Sequence, residues 1–295
     1  MCRLAAFPPG TSKEYAHEIV SNFVRGNDDG VGTAYLKGKS FVINKFPYSY
    51  DQAKREKKAL FDHMPYEGWT IAHVRMATHG EHTYANTHPI IRGDVAVVHN
   101  GVFSACEMVK AALHKAVKWQ GETDTEVGAY MLDQVGPEGF YKAMYCGSGV
   151  WMALHRDGHL SVTKLSGDLD YMGTKDGKVF LASEFPRNGK VIPLTATAGV
   201  YNADAEGKPI NFAPTYFERV NSSNRTNYHW KNGKYERDDI HEPDDRTGTC
   251  ATSVAMARNS GAVHAFPVAT ALVKPAPGLW DWPEDERMLE YLKGL

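Results

Sequence analysis

Cys2 carries two reactive groups on one residue once the initiator methionine is removed, a step that a small second residue usually permits. The thiol is a nucleophile. The freed α-amine titrates at about 7.7–8.0, well below the roughly 10.4 of a lysine, so it can act as a base near neutrality. Such a pair needs no histidine partner. Three downstream segments hold the residue types that a thiol nucleophile requires around it. Trp69, Ile71, His73 and Arg75 alternate on one face of an expected strand that ends in the turn Thr78-His79-Gly80. An arginine at that end is placed to grip a carboxylate with both prongs of its guanidinium, although an arginine's commoner fate is a surface ion pair. In Val97–Val102, Asn100-Gly101 has hairpin composition, but an expected helix follows almost at once. The pair therefore reads as a strand-to-helix corner, where an Asn amide and a Gly N–H offer two donors to a developing oxyanion. In Glu122–Glu126, Thr123 and Glu126 account for a helix start, where acids are favoured anyway. Asp124 is left over to accept from an ammonium.

Strands, turns and helices must position these groups. Lys37-Gly38, Asp157-Gly158, Asp176-Gly177, Glu206-Gly207 and Asn232-Gly233 each separate short strand-like runs, and the glycine supplies the positive φ of a tight hairpin. Thr11 with Glu14, Ser104 with Glu107 and Thr123 with Glu126 have capping-box spacing. After Thr11, Tyr15, Ile19, Val20, Phe23 and Val24 share one helical face, with Gly26 placed to end the helix. After Ser104, so do Ala105, Met108, Val109, Ala112, Leu113, Ala116 and Val117. Asp94–His99, Gly149–Leu154 and Lys178–Ala182 are apolar on both faces, as strands covered on both sides would be. Helices and hairpins intermix up to about Pro214, and composition shifts to Asn, Arg, Asp and His over Asn221–Gly248. The expected division is therefore 1–215 and 216–295. Beyond it, a hairpin over Tyr228–Tyr235 and a short helix over Trp280–Leu292 are expected.

Composition excludes several classes. The 295 residues carry 33 basic and 35 acidic side chains, a net of −2, which argues against nucleic-acid binding as the main task. With 12 Phe, 6 Trp and 15 Tyr the chain is rich enough in aromatics for a sizeable core. No apolar run approaches the roughly 20 residues of a membrane helix. The start MCRLAAFPPG is no signal peptide, Cys2 is no lipoprotein anchor, and the C-terminus lacks a prenylation box. Cys2, Cys106, Cys146 and Cys250 are scattered, so neither a disulfide framework nor a zinc ribbon is expected. A cytoplasmic protein without membrane contact is the expectation. His73, His79, His82, His88 and His99 crowd together, which raises a metal site. No HExxH, and no H-x-E with Cys-x-x-Cys, accompanies them, so buried hydrogen bonds from His73, His88 and His99 that hold the substrate loops are expected instead, with no metal and no cofactor. A decayed, non-enzymatic binding domain would have lost one of the motifs, and none is eroded.

The order Cys2, HVRMATHG, NTHP, VVHNG and ETDTE resembles the glutaminase domain of class II glutamine amidotransferases, nearest the hexosamine-phosphate synthase branch. The resemblance covers about the first 210 residues, is dense from Ile71 to Glu126, and extends to LASEF at Leu181–Phe185. It implies an α+β fold of the N-terminal nucleophile hydrolase type, a four-layer αββα sandwich. It implies Cys2 as nucleophile, Asn100 and Gly101 as the oxyanion hole, Arg75 on the substrate carboxylate and Asp124 on its α-amine, with Thr78 and His79 lining the same pocket. Glutamine would be the substrate, hydrolysed through a cysteine thioester, with ammonia passed to a separate synthetase or amidoligase subunit. The synthase branch has Trp where this chain has Met76. Residues after 215 are too few for a sugar-isomerase module and lack an SGGxDS-type pyrophosphate loop. The opening MCR is shared with small relatives that hydrolyse γ-glutamyl amides, which stands as the alternative activity.

Overall fold

The runs that alternate apolar residues become strands, and the runs with an apolar stripe become helices. The computed structural model describes residues 1–24, 27–77, 80–144, 147–186, 194–212, 228–231 and 234–237. Along the chain come β1 (Arg3–Phe7), α1 (Lys13–Ser21), β2 (Gly30–Lys37), β3 (Ser40–Phe46), α2 (Tyr50–Arg55) and β4 (Thr70–Arg75). Then come β5 (Ile90–Arg92), β6 (Val95–Asn100), α3 (Cys106–Ala112), α4 (Asp124–Ala143), β7 (Val150–His155) and β8 (Leu160–Lys164). The last are β9 (Asp170–Gly173), β10 (Val179–Ala182), β11 (Leu194–Thr195), β12 (Gly199–Ala203), β13 (Tyr228–Lys231) and β14 (Lys234–Arg237).

Two sheets form, with strand orders β11-β9-β10-β1-β4-β2-β3 and β12-β8-β7-β6-β5, and β13 pairs with β14 as a separate ribbon. The pairings are antiparallel. The period-two rule of a strand then sorts side chains into layers. Leu4 and Ala6 of β1, Ile71 of β4, Ala96 and Val98 of β6, and Met152 of β7 fill the core between the sheets. Their neighbours Ala5, Phe7, Ala72 and Val74 turn outward onto Ala16, Ile19 and Val20 of α1 and onto Tyr50 and Ala53 of α2. On the other side Val95, Val97, Trp151 and Ala153 meet Val109 of α3 and Val127, Met131, Leu132 and Phe140 of α4. This is a four-layer αββα sandwich, as expected. Among the described residues, no helix is long and apolar enough to cross a membrane.

Gly38, Gly158, Gly177 and Gly207 each have a positive φ, between 61° and 95°, at the turns their sequences predict. The fifth turn, Asn232-Gly233, lies outside the described residues, but its flanking strands pair in hairpin register, Lys231 opposite Lys234. The capping expectations need correction. The cap of α1 is Ser12, whose hydroxyl accepts from the Tyr15 N–H, while Thr11 donates to the Pro8 carbonyl at 2.6 Å. α3 begins at Cys106 after Ala105 with no side-chain cap, and Met108 is exposed rather than packed. Thr123 does stand at the cap of α4, yet its hydroxyl makes no cap bond. Glu126 turns back to accept from the N–H groups of Gln120 and Gly121, and pairs with Arg92. α4 is kinked at Gly136 (φ 69°), next to Pro137, which has no N–H to give. Gly26 and the expected helix at Trp280–Leu292 lie outside the described residues.

Candidate active site

Strand parity aims three of the chemical residues into the seam between the sheets. Cys2 stands one residue before β1, in step with Leu4 and Ala6; Arg75 ends β4 in step with Ile71; Asn100 ends β6 in step with Ala96 and Val98. β1 and β4 are antiparallel, with Arg3 opposite Val74, so the start of one strand meets the end of the other. Cys2 therefore lies beside Arg75 although 73 positions separate them.

The Cys2 thiol sits in the bend after β4. Its sulfur donates to the Met76 carbonyl and accepts from the Met76 N–H, both at 3.4 Å, and the Met1 nitrogen lies 2.7 Å from Met76 Sδ. Burial pushes the thiol above its ordinary value, the Met76 N–H, the N-terminal charge and Arg75 pull it back, and Asp124 raises it again. Arg75 is 2% exposed. Its guanidinium donates to the Gly80 carbonyl at 3.2 Å and the Glu81 carbonyl at 3.1 Å, which fixes its plane. Burial lowers its pKa, while Cys2, Asp29 and Glu122 raise it. An arginine so placed stays cationic at any relevant pH.

Asn100 and Gly101 form the expected corner. Asn100 is 5% exposed, and no described residue hydrogen-bonds its carboxamide. Gly101 must lack a side chain. A Cβ there would overlap the Ser148 carbonyl and lie 2.7 Å from both Gly149 Cα and His99 Nε2. His99 faces the helical layer, stacked on Trp151 with ring centres 3.5 Å apart. Its Nε2 donates to the Ser148 carbonyl at 3.3 Å, so its Nδ1 is the acceptor and takes the Thr125 hydroxyl at 3.2 Å. Burial lowers its pKa to about 4, so the 3.8 Å approach to Asp124 is not an ion pair at neutral pH. His73 donates from Nε2 to the His99 carbonyl at 3.0 Å, a bond that crosses from one sheet to the other beside the corner. Burial lowers its pKa to about 3.

Asp124 opens α4 and is partly exposed. One oxygen accepts from the Phe103 N–H at 2.7 Å, tying the helix start to the chain just after Asn100-Gly101. The other oxygen faces His99 and Thr125. Cys2, Arg75, Asn100, Gly101 and Asp124 are thus brought to one end of the seam. Thr78 and His79 lie outside the described residues. His88 departs from expectation. It is buried with its ring edge on His73 at 4.2 Å, but neither ring nitrogen has a partner among the described residues.

Asp29 had no signal in the sequence. It accepts from the Ala77 N–H at 2.6 Å and gives its own N–H to the Arg75 carbonyl, so it shapes the bend that cradles Cys2. Asn27-Asp28-Asp29-Gly30 has only the composition of a turn, with no spacing that would reveal this. Among the described residues, no three His, Cys, Asp or Glu side chains converge as a metal site requires. A cavity of about 620 Å³ lined by Arg92, Lys118, Tyr130 and Asp133 contains none of the site residues.

Residues 1–145 match the family model of class-II glutamine amidotransferases. The glutamine–fructose-6-phosphate aminotransferase of Zymomonas mobilis is 51% identical over 65 residues, 22% of this chain and 11% of that protein. The Aquifex aeolicus enzyme of the same name is 30% identical over 208 residues, 62% of this chain and 34% of that protein. The chain spans about a third or less of the length of these curated relatives. The glutamine phosphoribosylpyrophosphate amidotransferase of B. subtilis, solved with ADP and GMP, superposes with a TM-score of 0.53 at 17% identity, over 73% of this chain and 50% of that one. A solved structure of the allosteric regulatory enzyme of purine biosynthesis gives 0.54 at 17% identity, over 71% of this chain and 48% of that one. That likeness speaks to the fold, and the family match speaks to the chemistry. With a four-layer sandwich, a thiol at residue 2 and an arginine beside it, residues 1–145 are the N-terminal part of a class II glutamine amidotransferase domain, whose N-terminal nucleophile hydrolase fold runs on through β12.

Proposed function

We propose that this protein hydrolyses the side-chain amide of glutamine to glutamate and ammonia through a thioester on Cys2. The observation that carries this reading is the meeting of Cys2, Arg75 and Asn100 at one end of the intersheet seam, with Asp124 at the adjoining helix start. With Met1 removed, the Cys2 α-amine takes the thiol proton and the thiolate attacks the amide carbon. Asn100 and Gly101 N–H groups receive the negative charge that develops on the amide oxygen. The ammonium of Cys2 returns its proton to the departing nitrogen, the C–N bond breaks, and ammonia leaves a thioester. Water, deprotonated by the same amine, then breaks the C–S bond and releases glutamate. Arg75 grips the α-carboxylate and Asp124 the α-ammonium, with Thr78 and His79 lining the same pocket.

A separate synthetase or amidoligase subunit is the proposed consumer of the ammonia. The same reading assigns residues 1–215 to the glutaminase domain and 216–295 to a C-terminal extension. Phe212, near that boundary, still packs on Tyr171 and Tyr201 of β9 and β12.

Intact-mass measurement after treatment with an electrophilic glutamine analogue is expected to show loss of one methionine and a single adduct, mapping to Cys2. Ammonia and glutamate are expected in equal amounts from glutamine. Full activity in protein that retains Met1 would overturn the mechanism, because the nitrogen on Cys2 would then be an amide and no base. Faster turnover of γ-glutamyl amides than of glutamine would replace the substrate while leaving the chemistry in place.

A further inference from the structure

Asn86 and Glu122 form a clasp between the two residues proposed to hold the amino-acid end of the substrate. The Glu81 carbonyl, which accepts from Arg75, also accepts from Asn86 Nδ2 at 3.1 Å. The same Nδ2 reaches Glu122 Oε2 at 3.0 Å, and Asn86 Oδ1 accepts from the Glu122 N–H at 2.8 Å. A backbone N–H can only donate, so the orientation of the amide is determined. Glu122 Oε2 takes a further bond from the Glu81 N–H at 3.1 Å. These donors hold the Glu122 carboxyl below its usual range.

The Asn86 carboxamide is enclosed. The residue is 2% exposed and lies between two glycines. A Cβ on Gly80, whose φ is +74°, would stand 2.9 Å from Nδ2, and a Cβ on Gly121 would stand 2.8 Å from Oδ1. Thr123, the cap residue of α4, is all that separates Glu122 from Asp124. A continuous set of short bonds therefore runs from Arg75 at the end of β4, through Glu81, Asn86 and Glu122, to Asp124 at the start of α4.

We infer that Asn86, clasped to Glu122, is a positioning residue that sets the separation between the Arg75 guanidinium and the Asp124 carboxylate, and so makes the site selective for substrates bearing both an α-carboxylate and an α-ammonium. The inference rests on the roles proposed above for Arg75 and Asp124. The two charged groups of an α-amino acid hang from one carbon, so only one separation of their receptors lets both engage. A misplacement of about 1 Å at such a site can cost on the order of 10²-fold in rate.

The test compares kcat/KM for L-glutamine with that for its des-amino analogue, glutaramate. The unaltered protein is expected to prefer glutamine strongly. Asn86→Asp sets a carboxylate against Glu122 and removes the shared N–H donor. It is expected to raise KM for glutamine about tenfold with a smaller change in kcat, and to shrink the preference for glutamine by a similar factor. Adding Glu122→Gln puts an N–H back between the two side chains, and most of the preference is expected to return. Glu122→Ala, at an exposed side chain, gives the same readout if Asn86→Asp fails to fold, with an expected loss of preference of about threefold or more. Variants that lose activity equally on both substrates, with no recovery in the double variant, would overturn the inference and leave the proposed function standing. An unaltered protein that hydrolyses neither substrate would overturn that reading of the site, and the clasp's role with it.

Discussion

Asn100 and Asp124 illustrate how much one side chain is asked to do at this site. Asn100 holds its amide at the corner without a partner among the described residues, so its N–H is available when charge develops. Asn100→Ala is expected to lower kcat by about 10²–10³-fold, the usual effect of removing one oxyanion donor, with little change in KM. A rate within a factor of a few of the unaltered protein would leave Asn100 as a corner residue only. Asp124 is divided: one oxygen holds the Phe103 N–H, and the other looks toward His99 and Thr125. Thr125 has one hydroxyl hydrogen, and His99 Nδ1 at 3.2 Å claims it over the Asp124 oxygen at 3.5 Å. That leaves the second Asp124 oxygen to a ligand's ammonium under the proposed function.

Helix α4 shows the same economy at the scale of an element. Gly128 would ordinarily be a weak point in a helix, and replacing it with alanine recovers about 1 kcal/mol in an open helix. Here a Cβ would overlap the Trp151 ring, which is fully buried and stacked on His99. Overpacking of that kind costs about 1–3 kcal/mol, so the sign reverses. Gly128→Ala is expected to lower the melting temperature and to slow glutamine hydrolysis, since Trp151 is stacked on His99, which is bonded to the Ser148 carbonyl beside Gly101. A more stable and fully active variant would show that the ring has room to move. The start of α4 is held by Glu126, through Gln120, Gly121 and Arg92, rather than by the Thr123 hydroxyl.

Across the whole molecule the packed layers bury histidines that are held neutral. Burial lowers His73 to about 3 and His99 to about 4, and lowers His88 well below the ordinary 6.5. The unfolded chain would protonate them near 6.5, so between that value and 4 it binds more protons than the folded chain. The stability they contribute is complete above pH 6.5 and is lost as pH falls toward the folded values. Melting temperatures are expected to be level from pH 7 to 8 and to fall steadily from pH 6.5 to 4. A level profile through pH 5 would mean that the buried rings find a way to hold charge.

Much of this protein can be read along the chain, because local rules need only neighbours. The alternation Leu4/Ala5/Ala6/Phe7 and Ile71/Ala72/His73/Val74/Arg75 determines which side chains share a face, whatever sheet the strand joins. The Asp-Gly turns, the helix start at Thr123 and the order of the motifs are equally local. Only the tertiary structure decided which strands lie side by side beyond the hairpins, and contacts of that kind have no signature in spacing. The pairing of β1 with β4 makes Cys2 and Arg75 neighbours. Asp29 came to serve the Cys2 bend across 48 residues, and Asn86 to clasp Glu122 across 36. Each polar group could have satisfied itself with water in an open loop. Folding removed the water, and the nearest buried donor or acceptor then settled its partner.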